Sequence, residues 1–439
     1  MAALRNLFQR TLNTQLLKIR NHLYTCNARC ISQTHLDANE AQTFRPEIAE
    51  VGNLMQIGTH RIWSEEHDIF RASARRFFRE EVAPNRERWE EAGFTDREIW
   101  LRAGELGLLG VAIPEEAGGL GSDILTAAIL WEEQWMANCS APSISLVSDL
   151  IMPYIVEFGT QEQIARYIPP MVAGKCIGAI AMTEPHAGSD LQAIRTNARR
   201  DGEDWILNGS KVFISHGYLA DVLVVAAVTE PSAKSPAHGM SLFLLDADTP
   251  GFHKGRRLNK IGIRSEDTVE LFFEDVRLSK DQLLGQENRG WFHMMQLLPQ
   301  ERMVVAGRAQ GHMEMIYETT REYVKERKAF GKRIADFQTV QHKLAELKTR
   351  ICVSRAFYNQ CLAIHNDRGI DNQMSAMVKY ITTDLDNHVA TECLQLHGGY
   401  GYMSDCPVAK AFLDARIQSI WGGTNEIMKN IIAKSILMA

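Results

Sequence analysis

One glutamate in the chain stands in an apolar setting. Glu301 follows Leu297, Leu298 and Pro299 and precedes Met303, Val304 and Val305, with Arg302 beside it. A carboxylate among apolar side chains loses hydration, so its pKa rises and it becomes a better proton acceptor near neutral pH. The competing reading is structural: a first-turn glutamate, close to a proline at a helix start, favoured by the helix dipole. A second segment of interest is Ile180-Ala181-Met182-Thr183-Glu184-Pro185-His186-Ala187-Gly188-Ser189-Asp190. Glycine, proline and small hydroxyl residues suit a loop whose backbone N–H groups face a ligand, and equally suit a surface turn. Two further carboxylates read as structural or ligand-binding. Glu184 precedes Pro185, and Glu426 follows Gly422-Gly423-Thr424 where a helix begins, as in a cap.

The elements that must position these residues can be read from periodicity. Residues 63–175 are helical in pattern: Phe70, Ala74, Phe77, Phe78 and Val82 recur at three- and four-residue spacing, and Pro84 is expected to end that helix. Next, Trp205-Ile206-Leu207, Asn208-Gly209 and Lys211-Val212-Phe213-Ile214-Ser215 read as a β-hairpin with a tight type I′ turn. Further strand-like runs are Val222-Leu223-Val224-Val225-Ala226, Ser241-Leu242-Phe243-Leu244-Leu245 and Thr268-Val269-Glu270-Leu271-Phe272-Phe273. After Gly290 helical stripes return, among them Phe337, Val340, Leu344, Leu347 and Ile351. Helices, then strands, then helices predict an α+β chain with segregated layers. The expected domains are 55–175 (helical), 176–287 (antiparallel β) and 288–439 (helical bundle), after a lead segment at 1–40.

The composition, 45% apolar and 23% charged over 439 residues, is that of a globular protein with more than one core. A net charge of −6 gives no reason to expect nucleic-acid binding, and no run of ~18 apolar residues predicts a membrane span. The eight cysteines form no CxxC pair and read as free thiols, and no histidine or carboxylate set has metal-ligand spacing. Arg5, Arg10, Lys18, Arg20 and Arg29 precede the first acidic residue, Asp37, as in a mitochondrial transit peptide. The alternative there is an exposed basic helix. Gly104, Gly107 and Gly110 lack the preceding strand that a nicotinamide fingerprint needs, so they read as helix packing or a helix end.

Taken together, the 180–190 loop, the Asn-Gly segment, Arg327-Lys328-Ala329-Phe330-Gly331, Gln395-Leu396-His397-Gly398-Gly399 and Trp421-Gly422-Gly423-Thr424-Asn425-Glu426 resemble the acyl-CoA dehydrogenase flavoproteins. The likeness runs in order from Trp63 to the C-terminus and is strongest to the mitochondrial long-chain branch. It implies an N-terminal helical domain, a middle β domain, a C-terminal four-helix bundle, a homotetramer, FAD as cofactor and a mitochondrial-matrix location. It also implies an acyl-CoA substrate and electron-transfer flavoprotein as the electron acceptor. Ile180, Ala181, Met182, Thr183, Glu184, Pro185, His186, Ala187, Gly188 and Ser189 would line the flavin, as would Phe213, Ile214 and Ser215. Arg327, Gln338, Gln395, Leu396, His397, Gly398 and Gly399 would reach a neighbouring subunit's FAD, and Thr424, Asn425 and Glu426 would close over the cofactor. Ser189, Phe292, Pro299, Gln300, Glu301, Arg302, Gly422 and Gly423 would meet the substrate.

The family usually carries its catalytic glutamate where this chain has Gly422, and a glycine cannot take a proton. The long-chain and isovaleryl branches carry it before an arginine on an earlier helix, which Glu301-Arg302 matches. Gly422 would keep the N–H that, with a ribityl hydroxyl, polarises the thioester carbonyl. Arg302 is expected to orient a loop or pair with an acid. His186 replaces the family's usual glycine, and a positive φ there would strain it. The rival readings are an isovaleryl-type or other short branched-chain dehydrogenase, an acyl-CoA oxidase, and a non-catalytic relative that kept the fold.

Overall fold

The computed structural model describes residues 62–438. The expected transit segment lies outside them. The first layer is helical: α1 (Glu65–Arg76), α2 (Arg86–Ala92), α3 (Glu98–Glu105), α4 (Ile124–Met136), α5 (Met152–Phe158) and α6 (Gln161–Val172). Ser64 starts α1 with a reciprocal cap, its Oγ accepting from His67 N–H while His67 Nδ1 accepts from Ser64 N–H. Pro84 does not end the helical run. The chain passes through a π-helical turn (Phe77–Val82) and a 3-10 turn (Ala83–Asn85) into α2. Pro84 then sits at the start of a new turn, where its missing N–H costs little.

The middle layer is one sheet of eight strands: β1 (Gly178–Ala181), β2 (Asn197–Asp201), β3 (Asp204–Ser215), β4 (Val222–Val228), β5 (Met240–Asp246), β6 (Phe252–Arg257), β7 (Thr268–Leu278) and β8 (Leu283–Leu284). The order is β6-β7-β3-β2-β4-β5-β8, with β1 beside β4. Pairing is antiparallel except for β1 with β4 and a single β2–β4 pair.

The Asn208-Gly209 hairpin is not formed. Residues 204–215 make one continuous strand, and the tight turn is Gly202-Glu203, with Gly202 at φ +66°. Asn208-Gly209 lies at a bulge, where pairing with β7 slips between Leu207 and Gly209. A Cβ on Gly209 would come within 2.5 Å of Thr196 Oγ1. The glycine serves a bulge and a close approach, not a turn.

The last layer holds α7 (Gly290–Glu326), a small hairpin of β9 (Lys328–Ala329) and β10 (Lys332–Arg333), α8 (Gln338–Arg368), α9 (Asn372–His397), α10 (Pro407–Gln418) and α11 (Asn425–Met438). α9 packs against α7, α8, α10 and α11 over a core that includes Met313, Ile316, Leu347, Ile351, Leu385 and Val389. α7 also packs on α4, so it lies between the bundle and the first layer. Buried ion pairs tie the same layers together, with Arg355 bound to Glu132 and Glu314, and Arg71 to Glu132 and Glu133. Pro299 sits inside α7, well past its first turn. The first-turn reading of Glu301 therefore fails.

Candidate active site

Residues four and seven apart share a helix face, so α7 presents Glu301, Val305 and Arg308 together. Glu301 is 8% exposed, and Tyr154 of α5 donates its hydroxyl to Glu301 Oε1 at 3.1 Å. Burial pushes the Glu301 carboxyl up to about 7, against the opposing pull of the Tyr154 hydrogen bond and the Arg302 charge. Burial and the neighbouring carboxylate hold Tyr154 well above the ordinary phenol value, so it stays a donor. Gln300 Nε2 donates to the Asp149 carbonyl at 2.6 Å. Arg308 donates to Ser143 Oγ and Ser145 Oγ, each at 2.7 Å, and stands 5.4 Å from the Trp421 ring.

Among the described residues Arg302 has no acid partner within ion-pair distance. It donates to Asn372 Oδ1 and, at 3.4 Å, to Ser375 Oγ, both at the start of α9. The expected pairing with an acid is replaced by an amide and a hydroxyl. Burial pushes the guanidinium down to about 10, with Glu301 opposing.

The turn before α11 faces this helix. Gly422 and Gly423 take φ of +62° and +86°, and a Cβ on Gly422 would lie 3.4 Å from Val305 Cγ2. The N–H groups of Gly422, Gly423 and Thr424 find no protein acceptor among the described residues, whereas the flanking Trp421 and Asn425 N–H groups bond Ile417 O and Ser419 O. Successive free N–H groups in this conformation make a concave donor surface. The helix cap is Thr424, whose Oγ1 accepts from Ile427 N–H at 3.3 Å; Glu426 lies two residues beyond it, inside the helix. Asn425 turns inward, its Oδ1 accepting from Lys379 and Thr383.

The 180–190 segment closes a turn by paired hydrogen bonds between Glu184 and Ala187. Glu184 anchors it from inside: its carboxylate accepts from Arg195 N–H, Thr196 N–H and the buried Lys211 ammonium, the last at 2.8 Å. Burial lowers Lys211 to about 8, the Glu184 charge opposing. His186 is exposed and absent from the residues with positive φ, so the expected strain does not arise. Val212 N–H donates to Thr183 O at 3.0 Å, which sets the loop beside β3. There Phe213 is held at φ +60° and is 67% exposed, an apolar ring beside a polar loop. Ser215 is half-buried and Ile214 buried.

A third group forms a cavity of about 520 Å³. Its walls include Arg327, Gln395, Leu396, His397, Gly398 and Gly399. His397 is buried, stacks on Tyr323 at 4.1 Å and is pushed down to about 4 by burial, so it is neutral. Gln338, at the start of α8, is exposed and is not part of this wall. Phe292 lines a smaller cavity of about 290 Å³ with Glu157, Phe158, Arg289 and His293. The aromatic platform and polar loop suit a flavin ring, and the separate arginine-walled cavity with its open glycines suits a phosphate-bearing group.

Three family models cover nearly the whole described chain: "Acyl-CoA dehydrogenase, N-terminal domain" at 64–175, "middle domain" at 179–276 and "C-terminal domain" at 288–437. The chain belongs to the acyl-CoA dehydrogenase family. Among curated relatives, the mitochondrial long-chain specific acyl-CoA dehydrogenase of Mus musculus is 57% identical over 393 residues, 90% of this chain and 91% of that protein. A solved acyl-CoA dehydrogenase from Geobacillus kaustophilus is 43% identical with a TM-score of 0.84, covering 86% of this chain and 99% of that one. A glutaryl-CoA dehydrogenase from Mycobacterium smegmatis, solved in complex with FADH2, has a TM-score of 0.82 at 29% identity, covering 87% and 97%. The three-layer α+β fold is that of the family, and its cofactor is FAD. Sequence reasoning missed Tyr154, Lys211 and Lys379, all of which act through side-chain contacts that no local pattern announces.

Proposed function

We propose that the protein is a mitochondrial, FAD-dependent dehydrogenase of long-chain fatty acyl-CoA, branched chains included, giving the trans-2-enoyl-CoA of β-oxidation. The observation that carries this is the pairing of a buried carboxyl at Glu301, held by Tyr154, with a side-chain-free donor turn at Gly422. Glu301 would remove the proton from C2, its readiness near neutral pH coming from burial against α5. The Gly422 N–H would donate to the thioester carbonyl as negative charge develops there. Bound FAD supplies the acceptor for the hydride leaving C3. Thr183, Phe213 and Ser215 would lie along the ring, and Arg327 with residues 395–399 would reach the FAD of a neighbouring subunit. Gln338 and residues 424–426 stay within the same assignment, although the Asn425 side chain is engaged inside the protein. Phe292, Pro299, Gln300 and Ser189 would line the path of the acyl-CoA.

The matrix location, a homotetramer and electron-transfer flavoprotein as acceptor complete the reading. Phe330 at the hairpin tip, Tyr402 and Leu437 are 94%, 83% and 82% exposed, apolar surface of the kind that subunit contacts cover. No helix among the described residues is long and apolar enough to cross a membrane. The test is anaerobic bleaching of the FAD-loaded protein by acyl-CoAs of graded length and branching. Palmitoyl-CoA is expected to outpace isovaleryl-CoA, with little oxygen consumed when acceptor is withheld. Fastest bleaching by isovaleryl-CoA would overturn the long-chain assignment, and no bleaching by any acyl-CoA would overturn the activity.

A further inference from the structure

Lys379 has no exposed surface, yet no carboxylate lies within ion-pair distance of it among the described residues. Its Nζ donates to the Gly423 carbonyl at 2.8 Å and to Asn425 Oδ1 at 3.1 Å. Thr383, one turn further along α9, donates to the same Asn425 oxygen at 3.1 Å. Burial pushes Lys379 down to about 7, the facing Arg302 charge adds to this, and Glu426 opposes it. A buried ammonium without a paired anion is destabilising. A neutral donor would fasten the turn at lower cost, so fastening alone does not account for a group that can still carry a proton near neutral pH.

The Gly423 carbonyl belongs to the same peptide unit as the free Thr424 N–H. A cationic donor on that carbonyl draws electron density through the amide and strengthens the N–H as a donor. It also pins the left-handed conformation of Gly422 and Gly423, in which the turn's N–H groups meet no protein acceptor among the described residues. One and two turns earlier on the same helix, Ser375 and Asn372 hold Arg302, the neighbour of Glu301. One helix thus fixes both the base-bearing element and the donor turn.

We infer that Lys379 is a positioning residue for dehydrogenation: from beneath the turn its ammonium orients and polarises the 422–424 N–H groups against the thioester carbonyl. The inference rests on the functional reading above. Its test uses FAD-loaded full-length protein as wild type, Lys379→Gln, Lys379→Met and Lys379→Arg. Two quantities are read: the bleaching rate and apparent Kd with palmitoyl-CoA, and the carbonyl stretch of bound trans-2-hexadecenoyl-CoA by infrared difference. Gln and Met are expected to slow bleaching by roughly 10- to 100-fold, the range for groups that act through another. Kd should change little, and the carbonyl stretch should move back toward that of free thioester, with Arg restoring part of both. Folded, flavin-replete Gln or Met variants with wild-type rate, or with a slower rate but an unshifted carbonyl, would overturn the inference while leaving the activity standing. A wild type that no acyl-CoA bleaches would remove both. If Met fails to fold, Gln, which keeps a donor and drops the charge, decides the matter.

Discussion

Replacing Glu301 by glutamine removes a charge that the fold resists, and the consequence is measurable without substrate. A glutamate carboxyl raised from 4.5 to about 7 has its ionised form disfavoured by about 3 kcal/mol, at ~1.36 kcal/mol per pH unit. The unfolded chain releases this proton near 4.5 while the folded chain keeps it until about 7. Between those values the folded state binds more protons, so Glu301 erodes stability as pH rises, and the loss is complete above about 7. Glutamine cannot ionise, and its carbonyl can still accept from Tyr154. Denaturant melts of the FAD-loaded proteins at about pH 5 and about pH 8 should show Glu301→Gln gaining on wild type by roughly 2–3 kcal/mol across that interval. The same variant should bleach with palmitoyl-CoA roughly 100- to 10,000-fold more slowly, the span of general-base contributions. A stability difference that does not change with pH would refute the raised pKa. Unchanged bleaching would refute the base itself.

Tyr154→Phe removes the hydrogen bond that favours the Glu301 carboxylate, so the pH midpoint of wild-type bleaching, expected at about 7, should rise by about one to two pH units. Lys211→Met strands the Glu184 carboxylate inside the flavin loop. A melt should show a loss of about 3–5 kcal/mol, with weaker FAD retention on gel filtration; an unchanged melt would mean the pair does not hold the loop. Gly422→Ala meets space but not a compatible φ, so it should lower stability by about 1–2 kcal/mol while slowing bleaching far less than Glu301→Gln does.

Long periodic segments were legible because a helix stripe or a buried strand writes its period into the residues it buries. The layer order and the strands at 222–226, 241–245 and 268–273 follow from that alone. Glycine and proline misled where tertiary packing outranked local chemistry. Asn208-Gly209 carries a turn signature, but Thr196 approaches so closely that the strand needs a residue without a side chain. Pro84 is tolerated because a π turn widens the helix ahead of it, and Pro299 sits inside a helix held by packing on both sides. Glu301 was visible from its apolar neighbours, whereas Tyr154, which donates to it, lies 147 residues away in sequence. Lys379 stands among ordinary helix residues, and nothing near it in sequence marks a buried ammonium. Contacts at that separation leave no period to read.

In the proposed mechanism the base sits on α7, and that changes what the donor turn must do. A glutamate at position 422 would have to combine a proton acceptor, a carbonyl donor and a left-handed backbone in one residue, with the strain that φ near +62° brings to any side chain. Glycine removes the strain and keeps the N–H. The acceptor then rests on a 37-residue helix packed on two layers, where Tyr154 and burial set its proton affinity. The two functions become adjustable apart from each other, and α9 touches both, through Asn372 and Ser375 at one end and Lys379 further along. Loss of the Arg302 contacts by Asn372→Ala should therefore disturb the base while leaving carbonyl polarisation in place, the opposite signature to Lys379→Gln. If both substitutions moved the bound enoyl carbonyl equally, the helix would be acting as a single rigid support and the division of labour would be wrong.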